Sequence, residues 1–148
     1  IGQRDVQMNV LNAAKMVWVI LHDGQEVYPR LVQSLLYPDG SPMTHFEPRI
    51  TKRAAFSPNT AQTIQKMMRL TVTDGTGKAL ANSSWPAAGK SGTAQVQGGL
   101  NNQWFVGYAP YDQPRVVVAV VNLEATEGPS LAIRAFQQVI ETLSKRAD

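Results

Sequence analysis

The chain has 148 residues, 43% of them hydrophobic and 17% charged, with a formal charge of +3 and no cysteine. That composition fits one compact domain with a sizeable core and excludes a disordered chain, disulfides, thiolate catalysis and zinc–thiolate sites. The longest uncharged apolar runs, Met16–Leu21 and Val116–Val121, fall short of the roughly 20 residues that a membrane-spanning helix needs.

The opening "IGQRDV" has no initiator Met, signal peptide or anchor, as expected of a piece cut from a longer protein. From Asn9 to Leu21, Val10, Ala14, Val17, Trp18 and Leu21 recur at helical spacing, with Asn9 as the cap and "HDGQ" as the stop. "EVYPRLVQSLLYPDGSPM" predicts short extended segments around a turn at Pro38-Asp39-Gly40. Ser57 and Pro58 then start a second helix, with Ala61, Ile64, Met68 and Thr71 on one face and Met67 and Met68 expected as core filling. "TDGTGKAL" is the next turn. Three strands follow at Ala88–Gln97, Gln103–Ala109 and Arg115–Leu123, separated by turns at Gly98–Asn102 and Pro110–Pro114.

Short connections make those strands antiparallel neighbours, and the unbroken apolar run Val116–Val121 predicts a strand covered on both faces. Pro129–Lys145 closes the chain as an amphipathic helix with Ala132, Ala135, Phe136, Val139, Ile140 and Leu143 on its apolar side. The fold class is therefore α+β, an antiparallel sheet with packed helices, forming a single domain over residues 1–148.

Charge and metal-ligand patterns point away from two function classes. The basic residues are scattered with few aromatics among them, so the positive balance reads as a solubilising surface and no nucleic-acid partner is expected. His22 and His45 lie far apart without carboxylates at ligand spacing, and no metal site is expected.

The most informative stretch is "PAAGKSGTAQV", residues 86–96. It fails as a phosphate loop: Ser84 stands where the first glycine belongs, and strand residues follow where a helix should begin. "TDGTGKAL" fails too, with Val72 and Ala79 at the required glycine and hydroxyl positions. As a strand, it places Lys90 and Gly92 on one side and Ser91 and Thr93 on the other. A cation, two hydroxyls and a free strand N–H beside a glycine suit a carboxylate or a developing oxyanion. Spacing alone leaves a second reading open, a strand that merely carries a surface lysine.

"GKSGTAQ" resembles the third motif of the penicillin-binding proteins, the Lys-Ser/Thr-Gly-Thr strand of D,D-transpeptidases. Its context extends the resemblance in family order. "IGQRDVQMNVLNAAKMVWVILHDGQEVYPRLV" is similar to the family's Ile-Gly-Gln segment, helix, turn and Pro-x-Leu-Val strand. "VTDGTGKAL" resembles the Gly-Thr-Gly turn before the motif strand, and "WFVGYAP" with "RVVVAVVNLE" the two strands after it. Arg4, Asn9, Val10 and Asn12 depart from the family pattern at positions of structural character.

The resemblance implies the C-terminal part of the transpeptidase fold, of the class B-like high-molecular-weight type. The family's nucleophile motif, Ser-x-x-Lys, is not found in this sequence, and its one Ser-x-Asn, Ser57–Asn59, reads as a helix cap. In the family both precede the segment that Ile1 begins. The resemblance therefore implies completion by an N-terminal remainder, as one polypeptide or a separate chain, and a fragment inactive by itself.

By the same resemblance, Lys90 would supply charge and assist proton movement, and the Ser91 and Thr93 hydroxyls would hold the carboxylate of a D-Ala-D-Ala stem peptide or a β-lactam. The Thr93 N–H would form half of an oxyanion hole, Gly92 would keep the strand edge open, and Gln95 would lie at the cleft margin. No cofactor is implied. Location outside the cytoplasmic membrane, and other cell-wall synthesis proteins as partners, follow from the same resemblance. Serine β-lactamases and β-lactam sensors are the rival in chemistry; a non-catalytic wall-binding module is the rival in class.

Overall fold

Asn9 starts the first helix as its sequence predicts. Its side-chain oxygen accepts the Asn12 amide at 2.9 Å, and α1 runs Val10–Leu21. The computed structural model describes residues 7–51, 53–126 and 130–146, so the Ile1–Val6 opening, Lys52 and Pro129 fall outside it. The buried stripe of α1 is rotated from the predicted one: Ala13 and Val17 are buried, whereas Val10 and Trp18 are exposed. VLNAAKMVWVIL is apolar on nearly every side, so periodicity cannot choose a face; packing against the sheet does.

The short strands β1 (Ser34–Leu36) and β2 (Pro42–His45) pair antiparallel around the expected turn. There the Asp39 carboxylate accepts the Ser41 hydroxyl at 2.7 Å and the Ser41 amide at 2.9 Å. Helix α2 (Pro58–Thr73) begins where predicted, with the Ser57 hydroxyl accepting the Thr60 amide at 3.2 Å. Ala61, Met68 and Val72 are its buried residues. Met67 is not core filling: it is 60% exposed, one position off the inward stripe.

Strands β3 (Ala88–Gln95), β4 (Asn101–Ala109) and β5 (Val116–Ala125) form an antiparallel sheet in the order β3-β4-β5. Strand β4 begins earlier than the sequence suggested, because Asn101 and Asn102 pair with Gln95 and Ala94 rather than forming the turn. The Asn102 side chain accepts the Glu124 amide at 3.0 Å, beside an irregularity in the β4–β5 register. The turn itself falls on Gln97–Gly99.

Helix α3 (Ser130–Ser144) covers one face of the sheet, with Ala132, Ile133, Phe136 and Ile140 packed among Phe105, Ala109, Val116, Val118 and Val120. Ile133 belongs to this buried set, and Val139, predicted in it, is exposed. Helices α1 and α2 cover the other face through Val17 and Met68 against Ala88, Tyr108, Val106 and Val117. Strand β5 is thus covered on both sides, as its apolar run predicts. Among the described residues it pairs with β4 alone, leaving its outer edge open. None of the described helices is long and apolar enough to cross a membrane.

Two glycines let β3 and β4 come together over this core. A Cβ on Gly89 would meet the Phe105 ring at 2.6 Å, and one on Gly107 would drive into the Ala88 carbonyl oxygen. Since the Ala88 obstacle is backbone, Gly107→Ala should cost about 1–3 kcal/mol, seen as a lower urea midpoint at unchanged m-value.

On the α1/α2 face, burial holds the Tyr108 phenol well above its ordinary value, and the neighbouring Tyr111 adds to the shift. A raised folded-state value means the contribution is intact below the unfolded value of about 10 and is lost as pH climbs above it. Alkaline titration at the tyrosinate band should therefore show one of the four tyrosines holding its proton until the fold is lost.

Candidate functional site

Among the described residues β3 pairs with β4 alone, and its register decides what the other edge offers. In an antiparallel strand, the N–H and C=O of one residue point to the same side, and that side alternates along the chain. The Val96 amide donates to Leu100 at 3.0 Å and the Pro86 carbonyl accepts from Tyr111 at 2.7 Å, so even-numbered residues face β4. Odd-numbered residues face outward. The Ala87 and Ser91 carbonyls accordingly accept from side chains, Arg69 Nη1 and Lys90 Nζ, each at 2.6 Å. Thr93 is in phase with them, which turns its N–H to the open edge.

The predicted site residues therefore share one edge strand. Lys90 is exposed and pairs in register with Val106, on the α1/α2 face of the sheet. Its ammonium bends over to the Ser91 carbonyl, which brings the charge to the edge that the hydroxyl-bearing residues occupy. Ser91 and Thr93 alternate to the other face, and the Ser91 hydroxyl lies 2.7 Å from the Thr76 hydroxyl. Gln95 is exposed at the end of β3, opposite Asn101, away from this cluster along the strand.

Gly92 behaves unlike Gly89. A Cβ there would touch only Trp104 Cβ at 3.4 Å, ordinary contact, so packing within this chain does not demand glycine. Trp104 sits opposite Gly92 in the register and lines the groove beside it.

An apolar groove adjoins the edge. It has a volume of about 330 Å³ and runs from Met16, Val17 and Met68 past Trp104 to Lys90, Ser91 and Gly92. Its polar end is thus the motif itself.

Two supporting contacts cannot be read from spacing alone. Arg69, on α2, reaches across to the Ala87 carbonyl and lies over the Tyr111 ring at 5.6 Å. It clamps the start of β3, yet nothing in its spacing marks it, since the contact spans separate elements. Thr76 sits in the Gly-Thr-Gly turn that carries part of the resemblance, but its pairing with Ser91 shows only in the structure. Arg69→Met keeps the stem and removes the charged donor. It should destabilise the fold by about 1.5–3 kcal/mol and speed amide exchange at the first residues of β3.

An antiparallel sheet between helices, with a Lys-Ser-Gly-Thr strand at its open edge, has counterparts among known proteins. Residues 1–141 match the penicillin-binding protein transpeptidase domain, and the chain belongs to that family. It is 33% identical over 136 residues to penicillin-binding protein PbpB of Mycolicibacterium smegmatis, a match covering 82% of this chain and 20% of that protein.

The crystal structure of the D,D-transpeptidase domain of a peptidoglycan glycosyltransferase from Eggerthella lenta superposes with a TM-score of 0.80 at 34% identity, covering 95% of this chain and 33% of that one. The imipenem acyl-enzyme complex of penicillin-binding protein A from M. tuberculosis gives a TM-score of 0.77 at 26% identity, covering 94% and 32%. The chain spans about a third or less of each protein it matches here.

Proposed function

We propose that this chain is the C-terminal portion of a peptidoglycan D,D-transpeptidase domain and forms one wall of its active site. The observation that carries the reading is the open edge of β3, where the Lys90 ammonium, the outward N–H of Thr93 and the hydroxyl-bearing Ser91 and Thr93 stand together. In the reaction, a serine on an upstream segment attacks the carbonyl of a D-Ala-D-Ala stem peptide. The C–N bond breaks, terminal D-alanine leaves with a proton, and an ester to the serine remains. The amine of a second stem peptide then displaces the serine and forms the cross-link. A β-lactam acylates the same serine by opening its ring.

Each residue has a part set by its placement. Lys90 brings positive charge to the cleft and assists proton movement. The Ser91 and Thr93 hydroxyls bind the carboxylate of stem peptide or β-lactam, and the Thr93 N–H is one of two oxyanion donors, the serine's own N–H being the other. Gly92 leaves room for the bound backbone, consistent with the lack of any packing demand there. Gln95 lines the margin.

The apolar groove ending at Lys90–Gly92 seats the nucleophile-bearing segment, and an upstream strand pairs with the open edge of β5. The assembled protein works on the outer side of the cytoplasmic membrane, beside other cell-wall synthesis proteins.

A fluorescent penicillin tests this directly. The isolated 148-residue chain should take no covalent label, whereas the complete domain should form a long-lived adduct. In that domain Lys90→Ala should slow acylation by about 100-fold or more, the scale of losing a charge-stabilising group. Labelling of the isolated chain, rapid turnover of the adduct, or a parent protein lacking Ser-x-x-Lys would overturn the reading.

A further inference from the structure

The Ser91 hydroxyl is held from behind. Helix α2 ends at Thr73, and Gly75-Thr76-Gly77 folds back over its last turn, with the Gly77 amide donating to the Thr71 carbonyl at 2.8 Å. A Cβ on Gly75 would lie 2.9 Å from the Thr71 Cα and carbonyl oxygen, and one on Gly77 would lie 3.1 Å from that oxygen. Gly75 is therefore needed for the turn to lie this close to the helix, and a side chain at Gly77 would force its neighbour to give by a few tenths of an ångström. The residue between them is presented by a seated backbone rather than a loose loop, and its hydroxyl lies 2.7 Å from Ser91 Oγ.

A hydroxyl has one proton to give and lone pairs to receive. If Ser91 spends its proton on Thr76, it has none for an anion; if Thr76 donates, the Ser91 proton is free. Facing a carboxylate, the second order wins, because a hydrogen bond to a charged acceptor is roughly twice as strong as one between neutral hydroxyls. The chain Thr76 to Ser91 to carboxylate then polarises each successive bond.

We propose that Thr76 is a positioning residue that fixes the Ser91 hydroxyl rotor and directs its proton toward the carboxylate of the bound substrate or β-lactam. The proposal rests on the reading of Ser91 as a carboxylate ligand. It extends the recognition apparatus beyond the motif strand to the turn that follows α2, and Thr76 itself touches no substrate.

The test compares penicillin G with its methyl ester, which lacks the carboxylate, as acylating agents of the complete transpeptidase domain carrying Thr76→Val, Thr76→Ser or Ser91→Ala. T76V should slow acylation by penicillin G by roughly 3- to 10-fold, the worth of one hydrogen bond between neutral groups, and leave the ester rate unchanged. T76S, which keeps a hydroxyl, should restore the rate. S91A should discriminate between acid and ester more strongly, and adding T76V to it should change nothing further.

Equal slowing of acid and ester by T76V would mean a purely structural role and overturn the proposal. So would S91A discriminating while T76V does not, with the carboxylate role of Ser91 left standing. Failure of S91A to discriminate would remove that role and the proposal with it.

Discussion

The close approach of β3 to β4 at Gly89 and Gly107 is the constraint on which the rest of the structure depends. With no side chain at either position, the Phe105 ring lies against Gly89 and meets Phe136 edge-to-face, ring centroids 4.9 Å apart at 71°. Phe136 belongs to the buried side of α3, so that helix is docked through the same contact that seats the edge strand. The strand bearing the Lys-Ser-Gly-Thr motif is therefore fixed from the core side, and among the described residues its outer edge carries no partner strand.

Everything at that edge follows from phase. Even-numbered residues of β3 give their amides to β4, so odd-numbered residues must look outward, and the Ala87 and Ser91 carbonyls find side-chain partners. Arg69 anchors the strand at its start from α2, while Thr76 meets it midway from the turn after the same helix. Helix α2 and the turn after it thus brace the motif strand at two points. The bracing costs no polar group its partner, since each contact satisfies an atom that β4 cannot reach.

Much of this was legible in the residues. Caps at Asn9 and Ser57, the turn at Asp39-Gly40 and the three-strand order all announced themselves through local chemistry, and the Lys90–Thr93 motif lies on the sheet strand where its pattern put it. Where the reading slipped, the deciding force was tertiary. Helix α1 is apolar nearly all round, so its inward stripe is set by the sheet beneath it. Asn101 and Asn102 resemble turn residues, yet pairing with β3 claims them, and one side chain satisfies an amide in β5. The contacts of Arg69 and Thr76 have no local signature, because their partners lie in other elements, 18 and 15 residues away.

The bend of Lys90 onto the Ser91 carbonyl has a further consequence. A neutral carbonyl is a weaker counterpart than any carboxylate, so the resting contact is one an arriving anion can displace without breaking an ion pair. Because the ammonium stands exposed, its pull on such an anion is screened by salt, reaching about 8 Å at physiological ionic strength. The charge on Lys90 therefore acts only at short range: a neutral group gains nothing from it, and an anion feels it only on close approach.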